Sequence, residues 1–304
     1  MNILITGGAG YIGTSLVRRL ADDPRIRSVV VFDNLSRGNF DLFLGGKFSS
    51  GNLKFVQGDI LDSRTIRQQL KTADTVIHLA AKVTTPFSTI DSHFFEQVNH
   101  WGTAELVYAL EEFRVKKFIY TSSTAVYGIS STSVVELTPP SPSSFYANSK
   151  WRGEQQVMRL FDKMNTLIFR CGNVYGFSPA MRFDAVINHF MFDARFKNRI
   201  TIEGNGKQRR SFIQIEKLAE ALHQSLFTEI PSGTYNLSDK NLSVHQIVET
   251  LQQIFPDLEY ITVNQHLEMP ELVLAPCEKI RPYISLPDSE LAAELLQFRD
   301  QFAF

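Results

Sequence analysis

Cysteine is scarce in this chain: two residues, Cys171 and Cys277, among 304. That excludes a disulfide-stapled scaffold, and the absence of CxxC and HExxH patterns leaves nothing that points to a metal. Both thiols are expected to be reduced. No basic stretch followed by a hydrophobic segment opens the chain, so the expected compartment is the cytoplasm. An excess of charge is lacking too: 31 Lys and Arg stand against 32 Asp and Glu, a formal net charge of −1. This gives no electrostatic reason for a nucleic acid or an anionic membrane as partner. No apolar run approaches the roughly 20 residues that cross a bilayer. What is present, 43% hydrophobic and 21% charged residues, suffices for one large core with a smaller lobe attached.

The first 170 or so residues alternate short β-branched runs with longer helical patterns. MNILIT, SVVVFD, LKFVQGD, DTVIHLA, KKFIYTS and TLIFR read as strands; YIGTSLVRRLADD and the segments near 90–113 and 144–161 read as helices. Fully apolar strands separated by helices predict a parallel sheet covered on both faces, a doubly wound α/β (Rossmann) domain over 1–173. From 174 to 304 the pattern loosens into a smaller α/β lobe, with helices near 180–197, 215–227 and 243–255 and strands RITIE, GTYNLS and LEYITV. Some of its segments are expected to return to the first sheet.

GGAGYIG, residues 7–13, sits directly after the first strand and opens a helix. Gly7, Gly10 and Gly13 let the chain turn sharply, admit a pyrophosphate to the backbone and start a helix whose amides face that anion. Asp33 closes the second strand about 20 residues on, where a carboxylate accepts hydrogen bonds from the adenosine ribose and repels a 2′-phosphate. The pair predicts dinucleotide binding and favours NAD; Arg37 reads as a solvated loop charge. Asp59 reads either as a contact to the adenine amino group or as the N-cap of a helix over 61–70.

In FYANSKW, residues 145–151, Tyr146 and Lys150 stand four positions apart. Ser143 or Ser144 caps the helix, and positions 146, 150, 153, 157 and 161 form one stripe, so both side chains share a face near the helix start. A tyrosine of ordinary pKa near 10 needs about 4 kcal/mol to act as a base near pH 7. An ammonium about 5 Å away supplies some 3 kcal/mol at an effective dielectric of about 20. FIYTSSTAVYG, residues 118–128, adds hydroxyls at the end of the fifth strand, placed to hold a substrate oxygen or to cap their own turn.

In order, GGAGYIG, DNLSRG, GDIL, VIHLAA, YTSSTAVYG and YANSK resemble the extended short-chain dehydrogenase/reductase superfamily, specifically its nucleotide-sugar epimerase/dehydratase group. The resemblance implies Tyr146 as catalytic base, Lys150 as its electrostatic partner and nicotinamide-ribose ligand, and Ser123, with Thr124 beside it, at the sugar oxygen. It implies NAD held along Gly7, Gly10, Tyr11, Ile12 and Gly13, Asp33 and Asn34, Asp59 and Ile60, Leu79, Ala80 and Ala81, and Asn99. It implies a nucleotide-sugar substrate whose diphosphate meets Asn173, Arg210 and, by a weaker match, Arg281.

Dehydratases of this group carry acid just after the serine position, where this chain has Thr124 and Ala125, so 4,6-dehydration is not expected. Cys171 is expected on the far side of a strand junction, which argues against a 3,5-epimerase. A C4 epimerase and a keto-sugar reductase share the same residues; Asp33, by favouring NAD, tips the expectation to the epimerase. Relatives carry a further helical segment after the SLPDSELAAELL pattern, and Phe304 comes soon after it here. Phe94, Phe95, Trp101, Tyr108 and Trp151 are expected to pair two helices per subunit into a homodimer.

Overall fold

The computed structural model describes residues 1–44, 51–83, 92–266 and 271–302. Its first part runs β1 (Asn2–Thr6), α1 (Tyr11–Ala21), β2 (Ser28–Asp33), β3 (Leu53–Gln57), α2 (Ser63–Leu70), β4 (Thr75–His78), α3 (Ser92–Phe95), α4 (Thr103–Glu112), β5 (Lys117–Ser123), α5 (Phe145–Met158) and β6 (Asn165–Cys171). There follow β7 (Asn173–Tyr175), α6 (Val186–Lys197), β8 (Arg199–Glu203), β9 (Arg209–Gln214), α7 (Ile215–Phe227), β10 (Gly233–Leu237), β11 (Lys240–Ser243), α8 (Val244–Ile254), β12 (Glu259–Val263) and α9 (Leu291–Arg299).

Seven strands, all parallel, make one sheet in the order β10-β6-β5-β4-β1-β2-β3. Every residue of β4 is buried, as a strand covered on both faces requires. On one face Leu16, Val17 and Leu20 of α1 pack with Leu218 and Leu222 of α7. On the other, Ile66, Leu106, Leu110 and Val157 bring down α2, α4 and α5. This is the doubly wound Rossmann architecture. Strand order reverses between β1 and β4, which opens a crevice at their C-terminal ends.

The smaller lobe is built on two short sheets, β11-β9-β7 and β12-β8, over a core that includes Tyr175, Phe190, Met191, Leu251 and Phe298. In the seven-stranded sheet β10 is an edge strand and α7 packs on α1, so 215–237 completes the Rossmann layers. Hydroxyl contacts hang the lobe on the start of α1. Tyr11 donates to the Gly176 carbonyl at 2.7 Å, and Thr14 and Ser178 lie 2.8 Å apart.

Three helices differ from expectation. Of the helix near 90–113, residues 90 and 91 lie outside the described residues, and the rest is interrupted by a π-helical segment, Glu96–Gly102, between α3 and α4. The helix foreseen from 180 begins at Val186, after an irregular stretch containing Pro179. The α5 helix ends at Met158, not 161, in a run of turns. Among the described residues no helix is long and apolar enough to cross a membrane.

Candidate active site

The turn after β1 is forced by sterics. Gly7 sits at φ +74°, and a Cβ there would lie 2.4 Å from the Ala80 amide nitrogen. A Cβ on Gly13 would lie 2.5 Å from the Gly8 Cα, so Gly13 serves the packing of helix on loop. Gly10 differs: its Cβ would meet only the Gly7 carbonyl, at 3.3 Å, and otherwise point into open space. Gly10 is also the N-cap of α1 and offers no side-chain cap, so the first amides of the helix face that space without acceptors. A groove of about 330 Å³ begins here, lined by Gly7, Gly10, Tyr11, Ile12 and Gly13, by Asp33 and Asn34, and by Ile60, Leu79, Ala80 and Ala81. The phenol of Tyr11 is buried and is the lobe tether described above.

At the far end, Asp33 accepts the Ala9 amide at 3.0 Å and the Leu35 amide at 2.8 Å, one on each oxygen. Both oxygens keep lone pairs for a ribose. Arg37, exposed, lines the same groove. Asp59 does not cap α2: that is Asp62, which accepts from the Arg64 and Thr65 amides. Asp59 instead accepts from Asn34 at 2.9 Å and from the Leu61 amide at 2.9 Å, and its neighbours Gly58 and Ile60 line the groove. Asn99 is fully buried and spent on structure. It accepts the Lys82 amide at 2.8 Å, donates to the Lys82 carbonyl at 2.9 Å and to Ser149 at 3.0 Å. It fixes the wall after β4 against α5.

The α5 helix is capped by Ser144, which accepts the Ala147 amide at 3.1 Å. Gly153 lets it press on the sheet, since a Cβ there would lie 2.6 Å from the Tyr120 hydroxyl. This brings half-buried Tyr146 to the end of β5, close enough to Ser123 for that hydroxyl to influence its phenol. Ser123 also accepts the Ala125 amide at 3.2 Å, and Thr124 beside it is buried.

The electrostatics depart from expectation. Burial pushes the Tyr146 phenol up; the influences that pull it down are the charge of Arg182 and the nearby Ser123 hydroxyl. Lys150 points elsewhere: its Nζ donates to the Thr121 carbonyl at 2.7 Å and lies 4.2 Å from the Tyr120 ring centroid. Burial pulls that ammonium down to about 8, against the upward influence of Glu154 and Cys171. Lys150 is thus anchored to β5, and in this chain alone it does not acidify the phenol.

Arg182 is the residue that sequence reasoning missed. It lies in the irregular stretch before α6, lines the groove, pairs with Asp184 at 3.2 Å, and its charge reaches Tyr146. No periodicity or motif marks it. Cys171 is a second correction. Instead of lying beyond a strand junction, it is opposite Ser123 in the β5–β6 register, and it influences both Tyr146 and Lys150. Burial pushes its thiol up to about 12, so it is no base at neutral pH.

On the substrate side, Asn173 is exposed and donates to the Ser211 carbonyl at 3.1 Å. Arg210, on β9, is half-buried with no ion pair among the described residues, and burial alone pushes its guanidinium down. A partly desolvated cation without a carboxylate suits an anionic ligand. Arg281 is placed apart. It is exposed, pairs with Glu278 at 2.9 Å, and lines a separate groove of about 650 Å³ near Ser238–Asn241.

An open glycine cradle at a helix start, a carboxylate closing β2 and a phenol at the end of β5 define a dinucleotide-dependent enzyme on a Rossmann fold. The chain belongs to the NAD dependent epimerase/dehydratase family, whose model matches residues 3–238; NAD is its cofactor, and the cradle and Asp33 fit it. It is 33% identical over 261 residues to human dTDP-D-glucose 4,6-dehydratase, covering 84% of this chain and 74% of the relative. It is 30% identical to the probable UDP-arabinose 4-epimerase 3 of Arabidopsis thaliana, covering 83% of this chain and 68% of the relative. In structure it is similar to UDP-glucuronic acid 4-epimerase from Bacillus cereus, solved with UDP-glucuronic acid and NAD, at TM-score 0.86 and 26% identity over 99% of this chain and 98% of that one.

Proposed function

We propose that this protein is an NAD-dependent 4-epimerase of a nucleotide-diphosphate sugar. Relatives named as dehydratases and as 4-epimerases match at comparable identity, so similarity alone does not choose between them. The observation that carries the choice is at the end of β5: Ser123 lies near enough to influence the Tyr146 phenol, and Thr124 and Ala125 follow it with no carboxylate. Elimination of a sugar hydroxyl needs an acid at that place; reversible oxidation of a carbinol does not.

Tyr146 takes the proton from the C4 hydroxyl and gives it back to the same oxygen, with Ser123 holding that oxygen in reach. NAD, when bound, supplies a positively charged ring that favours phenolate and a carbon that accepts and returns hydride. The Tyr146 phenol is neutral at rest, so the free protein is not an active base. Lys150 and Arg182 bring positive charge to the site, while Arg210 and Asn173 hold the diphosphate and leave the sugar free to turn over between the two half-reactions.

The test is a panel of nucleotide sugars incubated with purified protein and no added cofactor, read by chromatography for the C4 epimer. Turnover that requires stoichiometric NADH or NADPH would instead make it a keto-sugar reductase. We also propose a homodimer through α3–α4 and α5. Phe94, Trp101, Tyr108 and Phe145 are exposed there, at 44%, 54%, 40% and 58%, whereas Phe95 is buried against Tyr146 within the monomer, so it leaves the interface set. A monomeric mass by sedimentation would remove the dimer.

A further inference from the structure

Lys150 is 3% exposed, and among the described residues no carboxylate lies within ion-pair distance of it. Glu154, one turn further along α5, is taken by Arg170, whose Nη2 is 2.7 Å away, and by Ser122. What the ammonium meets is the Thr121 carbonyl and the face of Tyr120. Tyr120 is fully buried and its hydroxyl makes no hydrogen bond. The nearby Thr103 hydroxyl is engaged, donating to the Asn99 carbonyl at 2.7 Å and lying 3.0 Å from His78 Nε2. A buried tyrosine with an idle hydroxyl is there for its ring. That ring also stacks on His78 at 5.4 Å, and burial, with the Lys150 charge, pushes His78 down to about 3, so the imidazole is uncharged and does not compete for the π face.

We propose that Tyr120 is a positioning residue for Lys150: its π face and the Thr121 carbonyl hold the ammonium charged and fixed, leaving its other N–H directions to ligand oxygens. That those oxygens belong to the nicotinamide ribose and the sugar rests on the epimerase reading. The hold on the ammonium does not. A desolvated cation over an aromatic face is favoured about as much as a buried hydrogen bond to a charged group. The charged and titratable groups around Lys150 are Tyr146 and Glu154 on α5, Arg170 and Cys171 on β6, His78 on β4 and Tyr120 itself.

The test follows the Lys150 titration in cofactor-free protein by NMR of ¹³C-labelled lysine, assigned by its loss in Lys150→Met. Tyr120→Leu removes the face and is expected to lower the midpoint by about one unit, a tenfold change in the protonation constant. Tyr120→Phe keeps the face and is expected to hold the wild-type midpoint. Should Tyr120→Leu fail to fold, pentafluorophenylalanine installed at position 120 keeps the shape, reverses the ring quadrupole and is expected to lower the midpoint likewise. NAD affinity, measured by calorimetry against pH, is expected to begin falling about one unit earlier in the variants that lack the attractive face. An unmoved midpoint with the fluorinated ring, or a Tyr120→Phe midpoint as low as that of Tyr120→Leu, overturns the proposal. Either result leaves the sugar-panel result, and the epimerase reading with it, untouched.

Discussion

Two lysines among the described residues are almost fully buried, and they live differently. Lys217, on α7, lies 2.6 Å from Asp239 and 2.8 Å from Glu294; Lys240 joins the same two carboxylates, and Tyr175 and Ser289 add hydroxyls to Glu294. Burial pulls Lys217 down, but its hydrogen bonds with Asp239 and Glu294 outweigh burial and hold it above the ordinary lysine value. Two ammoniums and two carboxylates neutralise one another and clasp α9 to the lobe. Lys150 has a ring, a carbonyl and no carboxylate, and burial pulls it down to about 8. A buried charge whose partners are complete is architecture; one left short of a counter-charge marks a place where a ligand is to supply it.

The largest expected effect lies on the unpaired side. Tyr146→Phe deletes one oxygen and the proton it carries, so turnover is expected to fall about 10³- to 10⁴-fold with fold and NAD affinity kept. Near-normal turnover would remove the phenol from the chemistry. On the paired side, Lys217→Met leaves Asp239 and Glu294 facing each other with one cation fewer, and a loss of about 3–5 kcal/mol in unfolding free energy is expected by denaturant titration. Lys150→Met should do the opposite, leaving stability at pH 7 unchanged or slightly higher while turnover falls. If both lysine variants lose stability alike, the distinction drawn here between clasp and site fails.

Much of this was legible in the sequence for a physical reason. Short β-branched apolar runs alternating with helical patterns fit strands of a sheet covered on both faces, so the β1-to-β6 order and the glycine turn at 7–13 could be read directly. Tyr146 and Lys150 were placed on one face by helical periodicity. Their side-chain directions were not legible: whether Lys150 reaches the phenol or the Tyr120 ring depends on where β5 lies beneath α5. Arg182 was missed because it sits in an irregular stretch with no periodic pattern, and Cys171 was misplaced because the β5–β6 register that sets it opposite Ser123 is written in neither strand alone. The π-helical segment 96–102, whose Asn99 carbonyl lies against Gly153, likewise leaves no mark in a 3.6-residue reading.

The adenosine end offers a milder test of the same idea, since Asp33 is held by the Ala9 and Leu35 amides and keeps lone pairs to spare. Asp33→Ala is expected to weaken NAD by about ten- to a hundredfold, the worth of one or two charge-assisted hydrogen bonds. NADP should lose less, because the 2′-phosphate no longer meets a carboxylate. Equal loss for both cofactors, by calorimetry, would show that Asp33 only shapes the loop.

The smallest effect concerns a third buried base, which is kept neutral. His78 lies 2.6 Å from Thr6 Oγ1 through Nδ1 and 3.0 Å from Thr103 Oγ1 through Nε2. Thr103 already donates its proton to the Asn99 carbonyl, so it must accept from Nε2–H, and Nδ1 in turn accepts from Thr6. One tautomer, uncharged, satisfies the whole chain; a second ring proton would face the Thr6 hydroxyl in a site that burial and Lys150 make hostile to charge. Folded His78 therefore binds its proton only near pH 3, whereas the unfolded chain binds it near 6.5. Between those values the unfolded state holds the extra proton, and stability falls as pH falls, by about 1.4 kcal/mol per pH unit. Between pH 6 and 5 this slope stands clear of the lowered carboxyls of Glu96, Glu112 and Glu294, which act below the ordinary carboxylate range. Denaturant titrations at pH 7, 6 and 5 should show the slope in the wild type and a flatter one in His78→Gln. If the two proteins lose stability in parallel, the acid sensitivity lies elsewhere and neutral His78, stacked on Tyr120 beside the Lys150 charge, is not what the proton disturbs.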